Sequence, residues 1–136
     1  MKKGIWLDKK TAIIVSVYNE EVSLNTILSN IEDFHIHGGS GTRLKGGPQD
    51  VIQDSKFLER EKHQTKKYFN DIVSDIKEAN AIVLFGPAEM PQKLNKEITK
   101  YHKDLKPKIK NVIKTDSMTE RQVKAWVKDF FTTNIL

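Results

Sequence analysis

The chain predicts an α/β fold on a mixed sheet, antiparallel in its first part and parallel in its second. Three observations carry that prediction. Apolar, β-branched runs crowd the first 31 residues, a five-residue apolar run (AIVLF) stands alone at Ala81 to Phe85, and helical periodicity fills the stretches on either side of that run. At 136 residues and 38% hydrophobic, the chain has the size of one domain with a real core, and residues 1–136 are read as one domain.

The elements follow in order. Gly4 to Leu7 and Thr11 to Tyr18 read as a hairpin closed by the polar turn Asp8-Lys9-Lys10. Glu21 to Ile31 sets Val22, Leu24, Thr26 and Leu28 on one face against Ser23, Asn25, Ile27 and Ser29 on the other. This alternation predicts a third, half-exposed strand after a turn at Asn19-Glu20, with a helix as the competing reading. Asp33 to Gln53 has no sustained periodicity and contains five of the seven glycines and a proline, so it reads as a long loop.

Helical spacing begins at Asp54 or Ser55, the expected N-cap, and continues through Phe57, Leu58, Tyr68, Phe69, Ile72, Val73, Ile76 and Ala79 to a stop at Asn80. Between Glu59 and Lys67 the apolar stripe lapses. A helix packs only where it offers an apolar face, so residues 34–67 are read as an arm of loop and helix reaching beyond the core. Ala81 to Phe85 has the uninterrupted apolar character of a central parallel strand. Gly86-Pro87-Ala88-Glu89 then turns into a helix with Leu94, Ile98 and Tyr101 on one face, Pro107 breaks the chain, and Ile109 to Ile113 is a further strand. Ser117-Met118-Thr119-Glu120 is a capping box for a last helix whose apolar face is Val123, Trp126, Val127 and Phe130. Trp6 joins Trp126 and Phe130 among the expected core residues. The order βββ, loop, αβαβα is that of ribonuclease H-like domains.

Composition narrows the chemistry. With no cysteine, disulfides, thiolate metal sites and thiol catalysis are excluded. No apolar run approaches the length of a membrane span and no signal-peptide pattern follows Lys2 and Lys3, so a soluble, cytoplasmic protein without a membrane partner is expected. A net charge of +5 and a pI near 9.3 favour an acidic partner such as RNA. Eight lysines fall between Lys93 and Lys114 against Glu97 and Asp104.

The most distinctive stretch is the glycine-rich, basic loop GGSGTRLKGGPQD and the charged segment SKFLEREKHQTKKYF that follows it. Gly38, Gly39, Gly41, Gly46 and Gly47 remove side chains that would anchor a loop, while Arg43 and Lys45 add charge. Together with Lys56, Arg60, Lys62, Lys66 and Lys67, these form the candidate RNA-binding set. His35, His37 and His63 read as solvated rather than as a metal site. Asp8, Asp50, Asp54 and Asp116, the carboxylates a nuclease would need for its metal ions, have plainer roles as turn, loop and cap residues, so no metal and no cofactor is expected. The turn at Gly86 lacks the spacing of a nucleotide loop.

The segments GIWLDKKTAIIV, GGPQD, FLEREKHQTKKYFNDIVSDI, IVLFGPAEMPQKL and TDSMTERQV resemble the central domain of archaeal and eukaryotic class I release factors and Pelota-type ribosome rescue factors. They resemble also the small stand-alone bacterial proteins described as translational machinery or host-attachment proteins. The resemblance covers nearly the whole chain. It implies a Gly-Gly-Gln loop entering the peptidyl transferase centre, where the glutamine orients water against the peptidyl-tRNA ester. Gly46 and Gly47 match the two glycines and Gln49 the glutamine, with Pro48 inserted. Proline fixes its φ, supplies no N–H and pushes Gly47 toward extended conformations, so the family's tight turn cannot simply be retained. The expected function is therefore binding to the ribosome, ribosomal RNA or tRNA through the arm. Peptidyl-tRNA hydrolysis by Gln49, or a protein-interaction module, are the alternatives.

Overall fold

The computed structural model describes the backbone of residues 1–31 and 47–133, and the side chains of residues 1–31 and 59–132. Three strands open the chain, β1 (Lys2–Leu7), β2 (Thr11–Tyr18) and β3 (Glu21–Leu28). Then come α1 (Gly47–Ile76), β4 (Ala81–Gly86), α2 (Met90–Tyr101), a 3-10 turn at Lys106–Lys108, β5 (Ile109–Lys114) and α3 (Glu120–Thr133). The sheet order is β3-β2-β1-β4-β5, with β1–β2 and β2–β3 antiparallel and β1–β4 and β4–β5 parallel. This is the mixed sheet the sequence predicted. A bulge between Ile82 and Val83 shifts the β4–β5 register.

Period-two alternation divides the core between the two sheet faces. Ile5, Leu7, Ile14, Ile82 and Leu84 point to one face and are covered by Tyr68, Phe69, Ile72, Val73 and Ile76 of α1 and by Leu94 and Ile98 of α2. Trp6, Ile13, Val15, Val83 and Phe85 point to the other and are covered by Val123, Val127 and Phe131 of α3. The sheet is thus the middle of three layers. Edge strand β3 has no fully buried residue; Val22 packs on the α3 side and Ile27 on the α1 side.

The turns follow their local chemistry. Asp8 Oδ1 accepts from the backbone N–H groups of Lys10 and Thr11, closing the β1–β2 hairpin as the sequence predicted. Asn19 takes a positive φ of 57° in the two-residue β2–β3 turn, a conformation asparagine tolerates.

Several boundaries differ from the sequence reading. The helix predicted from Asp54 or Ser55 starts at Gly47, so Asp54 is inside it and is not its cap. Proline in a first turn sacrifices an N–H that has no intrahelical partner anyway, which is why Pro48 starts the helix and does not break it. The same helix ends at Ile76, before Ala79, and the backbone N–H of Asn80 donates to the Met1 carbonyl at 2.7 Å. The capping box of α3 is shifted by two residues. Thr119 Oγ1 accepts from the Gln122 N–H at 3.2 Å, and Gln122 Oε1 accepts from the Thr119 N–H at 2.9 Å. TERQ therefore caps in place of SMTE, both being legible as boxes. In α3 it is Phe131 that is buried, while Trp126 and Phe130 pack half-buried at the margin, Trp126 stacked on Phe85 at 3.8 Å.

A candidate nucleic-acid interface along the long helix

The site is built on α1. From Tyr68 onward the helix buries one face against the sheet, whereas Glu59 to Lys67 contains no buried residue. Arg60, Lys62, Lys66 and Lys67 all reach the surface there. Ion pairs with Lys9 and Glu97 join this stretch to the β1–β2 turn and to α2. Glu61 pairs with Lys9 of the β1–β2 turn at 2.5 Å, and Lys66 pairs with Glu97 of α2 at 3.1 Å. Lys67 pairs within the helix with Asp71, at i,i+4. Below them the Tyr68 hydroxyl donates to the Asp8 carbonyl at 2.9 Å, fixing α1 to the same turn. Burial, and after it the neighbouring Asp8 carboxylate, pushes the Tyr68 phenol far above its usual pKa, so it is a donor at every physiological pH.

Between α1 and α2 lies a groove of about 710 Å³. Its walls carry Lys9, Lys62, Lys66, Lys93 and Lys100 against Glu61 and Glu97, and its floor includes the buried Phe69 and Met90. Both glutamates are committed to ion pairs with Lys9 and Lys66. Lys62 and Lys93 have no carboxylate partner among the described residues, so the uncommitted charge of the groove is positive. Tyr101, expected on the apolar face of its helix, lies in this groove with 54% of its surface exposed. The core face of α2 is Met90, Pro91, Leu94 and Ile98, and after Ile98 the next full turn falls on His102. Lys66 Nζ sits 4.0 Å over the Tyr101 ring and Lys100 Nζ 5.3 Å from it.

Of the predicted site residues, the structure thus brings Lys62 and Lys66 to one groove and sets Arg60 and Lys67 on the same helical stretch. Gly47 and Gln49 are in the first turn of α1, in place of the loop expected for them, and the backbone of Lys56 lies further along the helix; their side chains lie outside the described residues. Arg43, Lys45 and Gly46 lie outside the described residues, as do His35 and His37, the candidate partners of His63. Among the described residues no three metal-ligating side chains come together. No helix among them is long and apolar enough to cross a membrane. Sequence reasoning missed Lys9, Lys100 and Tyr101 as members of one site. The available signal was the placement of Lys93, Glu97 and Lys100 at i, i+4, i+7, which puts all three on one face of α2.

No protein-family model matches the sequence, and no curated protein matches it. Among solved structures, the Pelota protein of Thermoplasma acidophilum superposes with a TM-score of 0.52 at 15% identity, over 98% of this chain and 32% of that one. An archaeal translation termination factor, aRF1, is similar with a TM-score of 0.45 at 10% identity, over 97% of this chain and 39% of that one. The chain spans about a third of the length of the Pelota protein. The five-stranded mixed sheet with helices on both faces is therefore a fold shared with the matched third of Pelota, in agreement with the resemblance carried by the sequence.

Proposed function

We propose that this protein is a translation-associated factor that binds the ribosome, through ribosomal RNA or tRNA, with its glycine-rich basic loop and the charged first part of α1. The observation that carries the reading is the division of α1. Its end, from Tyr68 to Ile76, is anchored in the core, while Glu59 to Lys67 leaves Arg60, Lys62, Lys66 and Lys67 on the surface beside a lysine-lined groove. A helical stretch without an apolar face is built to meet something charged. The sequence resemblance to release factors and Pelota-type factors, and the fold shared with Pelota, support translation as the setting and the cytoplasm as the place. On this reading residues 1–136 form one domain and residues 34–67 its arm. Gly46, Gly47 and Gln49 belong to the arm as a contact element; a helical first turn at Pro48 and Gln49 supports binding over water positioning.

The test is sedimentation with ribosomes across a salt series. Reversing Arg43, Lys45, Lys56 and Lys67 to Glu is expected to weaken binding and flatten the salt dependence, by about 0.7 to 0.9 in the log–log slope for each phosphate that is no longer neutralised. Sedimentation of the variant equal to that of the wild type at every salt concentration would remove the arm as the binding surface.

A further inference from the structure

We propose that the groove between α1 and α2 is a binding site for a short single-stranded RNA segment, with one base stacked on Tyr101 and phosphates on Lys62, Lys93 and Lys100. The inference rests on the reading that the protein binds RNA, but it assigns a binding surface separate from the arm's glycine-rich loop. Tyr101 is a large aromatic ring left 54% exposed at the end of a helix whose core face ends at Ile98. Exposed aromatic rings flanked by cations are the stacking platforms of single-strand binders, because every base has a π-face while its phosphates need counter-charge. Here Lys66 Nζ lies 4.0 Å over one face of the ring, so the base would take the other, Lys100 Nζ is 5.3 Å from the ring centre, and Lys62 and Lys93 hold charge that no carboxylate among the described residues takes up.

Spacing supports the same occupant. Lys93 and Lys100 are two helical turns apart on one face, about 10 Å at ~1.5 Å per residue, far enough for them to meet different phosphates of one strand. An acidic peptide would satisfy the lysines but brings no planar π-face to stack on the ring, which already has the Lys66 ammonium over it at 4.0 Å. The apolar lining, Phe69 and Met90, is already buried and offers no socket for an apolar side chain. A duplex keeps its bases stacked inside and cannot present one to Tyr101.

The experiment titrates the full chain into a ten-nucleotide single-stranded oligoribonucleotide carrying 2-aminopurine. Wild type and Tyr101→Phe are expected to quench the fluorophore and to bind alike. Tyr101→Ala should lose the quenching and bind on the order of tenfold more weakly, the scale of one base–aromatic stack. The Lys93→Glu, Lys100→Glu double variant should bind more weakly still and with a shallower salt slope. The exposure of Tyr101 makes an unchanged thermal melt the expected folding control. Binding and quenching by Tyr101→Ala equal to wild type would overturn the proposal, as would equal binding of the corresponding duplex or equal competition by an acidic peptide. The two readings fail separately. Wild type that sediments with ribosomes but neither binds nor quenches the oligonucleotide defeats the groove and leaves the arm standing, whereas quenching without ribosome binding does the reverse.

Discussion

Gly86 ends β4 with a φ of +149°, and a Cβ on it would run into the carbonyl oxygen of Leu7 on the neighbouring strand. Backbone cannot move aside as a flexible side chain can, so Gly86→Ala is expected to cost about 3 kcal/mol in urea-unfolding stability. Gly4 is tight against a side chain, since a Cβ there would run into both methyls of Val127 of α3, a fully buried β-branched residue with little rotamer freedom. A second residue-scale prediction concerns Tyr68, whose hydroxyl donates to the Asp8 carbonyl from a buried position. At neutral pH, Tyr68→Phe should cost about 1 kcal/mol, the usual net value of one hydrogen bond. In alkali the order changes. The unfolded phenol releases its proton near pH ~10 and the folded one, pushed far higher, does not, so the unfolded state holds fewer protons and wild-type stability falls as pH rises. That loss runs at about 1.4 kcal/mol per pH unit above the unfolded pKa. The Phe variant lacks it, and denaturation midpoints of the two proteins are expected to converge between about pH 10 and 11. A gap that stays constant into strong alkali would mean that Tyr68 titrates normally.

At the level of elements, the start of each helix is set by a few side chains. Thr119 and Gln122 satisfy each other's backbone N–H groups at the start of α3. Thr119→Ala should therefore destabilise the protein by about 1 kcal/mol, while Ser117→Ala, at the start of the box read from sequence, should have little effect; urea-unfolding midpoints of the two variants check this. In α1 the first turn contains Pro48 and Gln49. Gln49 carries no charge and releases no counterion, so Gln49→Ala is expected to leave the salt slope of ribosome binding unchanged, in contrast to the four-residue charge reversal. A variant that sediments normally but abolishes a peptidyl-tRNA hydrolysis present in the wild type would instead favour the catalytic reading of Gly46, Gly47 and Gln49.

Across the whole molecule, three elements meet at one carboxylate. Lys3 of β1, itself buried, donates to Asp75 Oδ1 at 3.0 Å and to the Asp75 carbonyl at 2.7 Å, and Asn25 of β3 donates to Asp75 Oδ2 at 2.5 Å. Asp75 thus ties the anchored end of α1 to an interior and an edge strand. Asp75→Ala leaves the Lys3 ammonium largely buried with one acceptor fewer, and about 2 kcal/mol of stability should be lost, less than for a fully buried pair because Asp75 keeps 22% of its side-chain surface. The Lys9–Glu61 and Lys66–Glu97 pairs are more open to water on their lysine side, and disrupting either should cost under about 1 kcal/mol. Stability therefore resides around Asp75 and the two core clusters, and the groove wall can be mutated with little effect on folding.

The amino-acid sequence by itself determined the strands and their order along the chain, because the β-branched apolar run AIIVSV and the bare apolar AIVLF are short segments that bury side chains on both faces of a sheet. It also determined which half of α1 is anchored, since Tyr68, Phe69, Ile72, Val73 and Ile76 repeat at helical spacing and Glu59 to Lys67 does not. Helix starts were less legible. Glycines and a proline at 46–48 read as loop, yet a proline in a first turn loses nothing, and two overlapping capping patterns at 117–122 are equal until the packing of Val123 and Val127 on the sheet sets the helix phase. The groove was decided by tertiary structure alone. Lys9, Lys62 and Lys100 lie on three separate elements, and only the packing of α1 and α2 side by side on one sheet face brings their charges together, while the burial of Leu94 and Ile98 turns Tyr101 outward among them.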